Sequence, residues 1–247
     1  NRTIGIFIPE TNPDRTEIPP VPDVVKLVDG YKGDAPIAQG EDFDPSPSNI
    51  EKRTHKGQEA NSFKYAFLPK LTKGNVVNAS ITLRLGDEQS LQNKATISSF
   101  TASMLNRGTK TMSRQQVKDE LDRLKARVNI FGSGQTVSVS IHTTKENLDA
   151  VLKIVTDQLK NPAFIDKEFE ELRNEELAGI EEQKSDPQAL VGIAYQKHLN
   201  PYPKGHINYV NSVDEDIQDF KSVKLEDCKK FHEEFYGSNN GTVSVVG

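Results

Sequence analysis

Over residues 77–85 apolar and polar side chains alternate without a break, with Val77, Ala79, Ile81, Leu83 and Leu85 set against Asn78, Ser80, Thr82 and Arg84. A period of two puts all the apolar groups on one side only if the backbone is extended, so this run predicts a strand with one buried and one wet face. Residues 127–131 and 136–142 form a second such system, joined through Gly132 and Gly134. In it Val137, Val139 and Ile141 face inward while Ser138, Ser140 and His142 face outward, the pattern of a hairpin solvated on one side. Phe63, Tyr65 and Phe67 alternate in the same way, and residues 243–246 read as a closing strand.

Helical periodicity fills the intervals. Ile97, Phe100, Met104 and Leu105 share one face of a predicted helix. Ser113 and Gln116 make a capping box for the next, with Val117, Leu121 and Leu124 as its core contacts. Thr143 and Glu146 read as another capping box, ahead of the stripe Leu148, Val151, Leu152, Val155 and Leu159 that Asn161-Pro162 brings to an end. A charged helix is predicted over residues 167–184, and Asp186-Pro187 starts another that runs to about His198. Leu225, Cys228, Phe231 and Phe235 form the buried face of a last helix, which Gly237 ends. Pairs of strands separated by pairs of helices imply an α+β fold of two layers, a largely antiparallel sheet packed against helices.

The first 58 residues differ. Eight of the thirteen prolines lie before residue 48, among Asp, Glu and Gly, and such a segment lacks the apolar periodicity to offset its own ordering entropy. Residues 3–8 read as a short strand without a partner nearby. Residues 9–58 read as an extended Pro-rich interdomain linker, in which residues 23–28 make a short helix whose Val24, Val25, Leu27 and Val28 could pin it to a domain surface. The expected organisation is therefore the end of a preceding lobe plus linker over 1–58, and one α+β domain over 59–247. The chain starts at Asn1, without Met or a leader, and reads as an excised piece of a longer protein.

Composition narrows the function classes. A net charge of −5 with no Lys/Arg stripe argues against a nucleic-acid surface. No apolar run approaches the length of a membrane span. The single cysteine, Cys228, has no internal disulfide partner.

Residues 96–109, TISSFTASMLNRGT, resemble the helix that carries the inverted zinc motif His-x-x-Glu-His in the M16 (pitrilysin/insulinase) metallopeptidases. Met104-Leu105 and Gly108-Thr109 keep that frame. The resemblance extends through Asn161-Pro162, the acidic helix, Asp186-Pro187, Asn200-Pro201-Tyr202 and the closing Val245-Val246-Gly247. It implies a LuxS/MPP-like domain. In active members two histidines and a distant glutamate hold zinc, and the glutamate inside the motif is the general base. Here Ser99 and Ser103 stand at the histidine positions, Ala102 at the general base, and the third-ligand position falls near Ala178 or Gly179. Neutral hydroxyls are poor zinc donors, so no catalytic, cofactor or metal residue is expected in this chain. Glu175, Glu176, Glu181 and Glu182 read as a solvated face.

The resemblance further implies the first lobe of a non-catalytic C-terminal half, of bacterial and periplasmic type. Zinc would lie in a catalytic N-terminal half, on the same chain or a sister subunit, and peptide would be the substrate. The Arg and Tyr that such a half contributes would come after Gly247. The alternative is a stand-alone scaffold module of the same fold, and a third reading is a hydrolase using Ser99. His198, His206 and His232 offer a weak metal grouping without carboxylate or thiol support. His55 and His142 lack visible partners, and Cys228 reads as a buried inert thiol.

Overall fold

The computed structural model describes residues 21–33, 37–59 and 63–247. Its contacts fall into two units, residues 1–36 and 37–247. In the first, Asp23 caps a single-turn helix, α1 (Val24–Leu27), by accepting from the Val25 N–H. Val24, Val25, Leu27 and Val28 are all exposed. The strand expected over residues 3–8 lies outside the described residues.

The second unit is built on a mixed six-stranded sheet of β1 (His55–Gln58), β2 (Lys64–Leu68), β3 (Val76–Arg84), β4 (Arg127–Ser133), β5 (Thr136–Thr144) and β6 (Gly241–Val246). The order is β1-β2-β6-β3-β5-β4, with every neighbouring pair antiparallel except β2 with β6. Helices α2 (Pro47–Arg53), α3 (Ala95–Met104), α4 (Arg114–Arg123), α5 (Leu148–Lys160), α6 (Asp166–Gln183), α7 (Pro187–Leu199), α8 (Val213–Ser222) and α9 (Leu225–Phe235) complete it. The expected α+β architecture with a largely antiparallel sheet is the one observed. Among the described residues no helix is long and apolar enough to cross a membrane.

The alternating runs do what their period requires. Val77 is buried, and Ala79, Ile130, Val137, Val139 and Ile141 join Ala102 and Leu105 near α3, Val151, Ile154 and Val155 of α5, and Phe231 and Phe235 of α9 in one core. A fully buried aliphatic or aromatic side chain contributes roughly 1.5–3 kcal/mol, so this face supplies much of the driving force. A second core lies between helices: Phe100 and Met104 of α3 meet Phe169 and Leu172 of α6, Val223, and Leu225 and Cys228 of α9. Helix α3 is therefore gripped from two sides.

Three local expectations differ from the structure. Residues 37–58, read as linker, supply α2 and the edge strand β1. Arg53 holds this segment by donating to both carboxylate oxygens of Glu41 at 2.9 Å and to the Pro69 carbonyl at 2.7 Å, while Glu41 also accepts from the Leu71 N–H at 3.0 Å. Thr143 does not cap α5. It is buried at the end of β5 and donates to the Leu124 carbonyl at 3.3 Å, and the residue preceding the helix is Asn147, whose amide donates to the same carbonyl. Helix α8 was not expected at all, although Ser212 and Glu215 form a complete capping box at its start.

Candidate functional site: the remnant of a zinc helix

The positions matched to the motif, Ser99, Ala102 and Ser103, are half-buried to fully buried in α3. Ala102 is fully buried, and its Cβ lies so close to β4 that a Cβ built on Gly132 would come within 2.5 Å of it. Only glycine lets the helix and the strand approach this closely. Ser99 is half-buried, and its hydroxyl donates to the Thr96 carbonyl at 3.0 Å within its own helix. Ser103, one turn on and half-buried, follows Ser99 at the i, i+4 spacing that places both on one helix face. On the same helix Ser98 and Thr101, both fully buried, donate to the carbonyls of Gly134 at 3.1 Å and Ile97 at 2.7 Å.

Each residue of the following MLNRGT segment has a structural task. Met104 and Leu105 are buried, and the Leu105 carbonyl accepts from the buried Gln158 amide at 3.2 Å. Asn106 donates to the Ile130 carbonyl at 2.8 Å and accepts from the Ile130 N–H at 3.4 Å, so its carboxamide makes the pair of bonds a neighbouring strand would make with β4. The buried Arg107 guanidinium pairs with Glu175 and lies 3.7 Å from Glu168, which Arg114 approaches from the other side at 3.5 Å. Gly108 sits at φ +104, where a Cβ would meet the Arg114 backbone nitrogen at 2.9 Å. The Thr109 hydroxyl accepts from the N–H groups of Thr111 and Met112 at 3.2 and 3.0 Å.

Glu175 lies on the solvated face expected of it, with its side chain 57% exposed, and gains one structural partner. It reaches back to Arg107, which holds its carboxyl below the ordinary value. Glu168, Leu172, Glu175 and Gly179 recur on one side of α6 at spacings of four, three and four. Gly179, at the third-ligand position, has open space where a side chain would begin, and the neighbouring Ala178 is exposed. Two neutral hydroxyls, a methyl group and a glycine do not fit zinc, which requires imidazole, thiolate or carboxylate donors. Among the described residues no group of three His, Cys, Asp or Glu is placed to hold a metal ion.

The other candidates are held apart. His198 is exposed on α7. His206 stacks on Tyr202 with ring centroids 4.2 Å apart and lies 3.4 Å from the Glu88 carboxylate. His232 sits 2.7 Å from the Leu159 carbonyl, and burial holds its pKa below the ordinary value. His142 does have a partner, the Asn78 side chain at 2.8 Å across the β3–β5 pair. Cys228 is fully buried, and desolvation pushes its thiol up to about 11, which leaves it inert at neutral pH. Among the described residues the Ser99 hydroxyl is seen bonded to the Thr96 carbonyl and not to a base that would activate it.

The family model described as Insulinase (Peptidase family M16) matches residues 66–201. Mitochondrial-processing peptidase subunit alpha-1 of Dictyostelium discoideum is 27% identical over 147 residues, which are 56% of this chain and 21% of that protein. The crystal structure of a peptidase M16 inactive domain from Pseudomonas fluorescens superposes with a TM-score of 0.67 at 20% identity, over 78% of this chain and 46% of the other. The periplasmic protease PqqL from Escherichia coli gives a TM-score of 0.62 at 22% identity, over 79% of this chain and 22% of its own. The chain thus spans less than half the length of each of these relatives. With the family profile covering more than half of its residues and the remnant motif helix at its centre, the chain belongs to the insulinase family of peptidases, family M16.

Proposed function

We propose that this chain is a non-catalytic lobe of an M16 peptidase, one that closes a peptide-holding chamber against a catalytic half and does no bond-breaking of its own. The observation that carries the reading is the fate of the motif helix. The general-base position is a fully buried alanine wedged on Gly132, the histidine positions are serines, and MLNRGT survives because each of its residues bonds or packs. Such a pattern is what remains when packing is retained and chemistry is not. The inactive M16 domain from Pseudomonas fluorescens shares the fold, in keeping with this reading.

On the same reading zinc belongs to the catalytic half, where a His-x-x-Glu-His helix would polarise the scissile carbonyl and activate water. On this reading the chain would begin with the end of a preceding lobe and its linker, and residues 37–247 would form the first lobe of a C-terminal half. PqqL, a periplasmic protease of similar fold, supports a periplasmic setting.

Calorimetric titration with zinc and a panel of fluorogenic peptides test the proposal together. The expected outcome is no stoichiometric zinc binding and no turnover by this chain alone, with cleavage appearing only when a catalytic half is added. Tight equimolar zinc binding, or turnover that Ser99→Ala abolishes, overturns it.

A further inference from the structure

The six strands contain no aspartate or glutamate, in a chain that holds 36 acidic residues and carries a net charge of −5. The registers make this a property of one surface. Lys64, Thr242, Thr82 and Ser138 form one row across the open face; Lys56, Ala66, Ser244, Ser80 and Ser140 form the next; Asn78, His142 and Arg127 continue into a third. Arg84, in phase with Thr82 and Ser80, adds a further cation. The face thus carries rows of small hydroxyl side chains, with the exposed Phe131 and Val246 in the same registers, set among Lys56, Lys64, Arg84 and Arg127. Lys56 has an acidic partner, Glu51 at 2.6 Å, which comes from α2 and not from the sheet. A shallow groove of about 340 Å³ crosses β2, β6 and β3 on this side, with Lys56, Lys64, Ser80, Thr82, Thr242 and Ser244 along it.

Small hydroxyl groups leave a flat surface and can donate hydrogen bonds to carbonyls or carboxylates. With Lys56 already paired to Glu51, Lys64, Arg84 and Arg127 are the strand cations that favour an anionic occupant over a basic one. At the β4 edge the Asn106 carboxamide already occupies the Ile130 N–H and C=O, so strand addition at that residue is blocked. We propose that the open face of the sheet is a docking surface for an extended acidic peptide, whose carboxylates pair with Lys56, Lys64, Arg84 and Arg127 across the hydroxyl rows. This rests on the peptidase-lobe reading and gives it a substrate preference.

The test uses Ser80→Cys carrying an environment-sensitive fluorophore, since the fully buried Cys228 leaves the introduced thiol as the one that labels. The protein is titrated with short extended peptides that are Glu-rich, Ser/Gln-rich or Lys-rich, and anisotropy of labelled peptide on the unmodified chain gives an independent binding signal. The Glu-rich peptide should shift the emission and weaken as salt is raised. Lys56→Glu combined with Lys64→Glu should lower its affinity by about tenfold or more. Equal responses to Glu-rich and Lys-rich peptides overturn the charge preference, and anisotropy without a probe response overturns the placement on this face. Affinity unchanged in the double variant overturns it as well. None of these outcomes bears on zinc binding or turnover, which decide the peptidase-lobe reading separately.

Discussion

The two faces of the sheet are made by the same strands, residue by alternate residue, yet they have been left with opposite duties. On the covered face Val77, Ala79, Ile130, Val137, Val139 and Ile141 are buried, and α3 lies so tightly on Gly132 that a methyl group would not fit. On the open face the same stretch presents Asn78, Ser80, Thr82, Ser138, Ser140 and His142. Helix α3, which carries the expected motif positions Ser99, Ala102 and Ser103, is the helix gripped by the covered face, and the proposed peptide surface is the opposite one.

Restoring the lost general base should break this comparison most forcefully. Ala102→Glu would put a carboxylate into a fully buried site between α3 and β4 with no cation beside it, at a cost of about 4 kcal/mol or more. Urea denaturation should show a chain that is largely unfolded or severely destabilised. A variant as stable as the parent would mean that position 102 opens to solvent or to a cation, and the packing account of the helix would fail.

A smaller intrusion from the strand side should cost less. Gly132→Ala brings a Cβ within 2.5 Å of the Ala102 Cβ and 3.1 Å of Val137 Cγ2, so helix and sheet must separate, at about 1–3 kcal/mol. Asn106→Ala tests the rim where the two faces meet. Losing both bonds to Ile130 should cost about 1–2 kcal/mol and uncover a sheet edge that invites pairing. Thermal unfolding gives the first quantity, and sedimentation should reveal concentration-dependent self-association of the Asn106 variant but not of the parent.

How far these features were readable in advance depended on the range of the interaction. The two-residue period of β3 and β5 is local, and it announced both strands and their wet side. The alternation at Val137, Val139 and Ile141 matched the observed burial residue for residue. Contacts distant in sequence left no such trace: Arg107 meets Glu175 across 68 positions and Asn106 meets Ile130 across 24. So the solvated face expected for Glu175 was right but its pairing with Arg107 went unseen, as did the strand-like role of Asn106. The Arg53–Glu41 clamp, 12 positions apart, likewise organises a Pro-rich stretch that composition suggests is linker. Thr143 shows the opposite failure, because a motif of the right spacing sat on a buried strand end. Ser212 and Glu215 did form the box that begins α8, but the acidic run around Ile217 masked the apolar pattern. At the motif helix the exchanges at 99, 102 and 103 were plain in the sequence, whereas the contact of Ala102 with Gly132 required the fold.

Charge separates the two sides too, since among the described residues every Asp and Glu lies outside the strands. Glu215 accepts from the Ser212 N–H at 2.9 Å and from Lys204 at 3.0 Å, and these hold its carboxyl at about 2, against an ordinary value of 4.5. A carboxyl depressed in the folded state stabilises fully above its unfolded value and loses that contribution as pH falls through the folded one. Its contribution should be complete above about pH 4.5 and fade toward pH 2. Glu215→Gln should therefore lower stability by about 1 kcal/mol at neutral pH, with the difference from the parent shrinking on acidification. A gap that stays constant down to the acid limit would show that capping geometry, and not charge, is what Glu215 provides.

The smallest effect should come from the open face itself. Ser80→Ala and Thr82→Val remove hydroxyls from rows that pair Ser80 with Ser140 and Ser244, and Thr82 with Ser138 and Thr242. Ser80 is exposed and Thr82 half-buried, and the one bond seen there, between the Thr82 and Ser138 hydroxyls, is long at 3.5 Å. Each change should alter stability by no more than about 0.5 kcal/mol, and Thr82→Val should tend to stabilise, because a β-branched apolar side chain suits a strand. If these hydroxyls serve an occupant and not the fold, the same substitutions should weaken acidic-peptide binding while the unfolding midpoint hardly moves. A large loss of stability from either would place the hydroxyl rows among the elements that hold the sheet together, and the division of duties between the two faces would not stand.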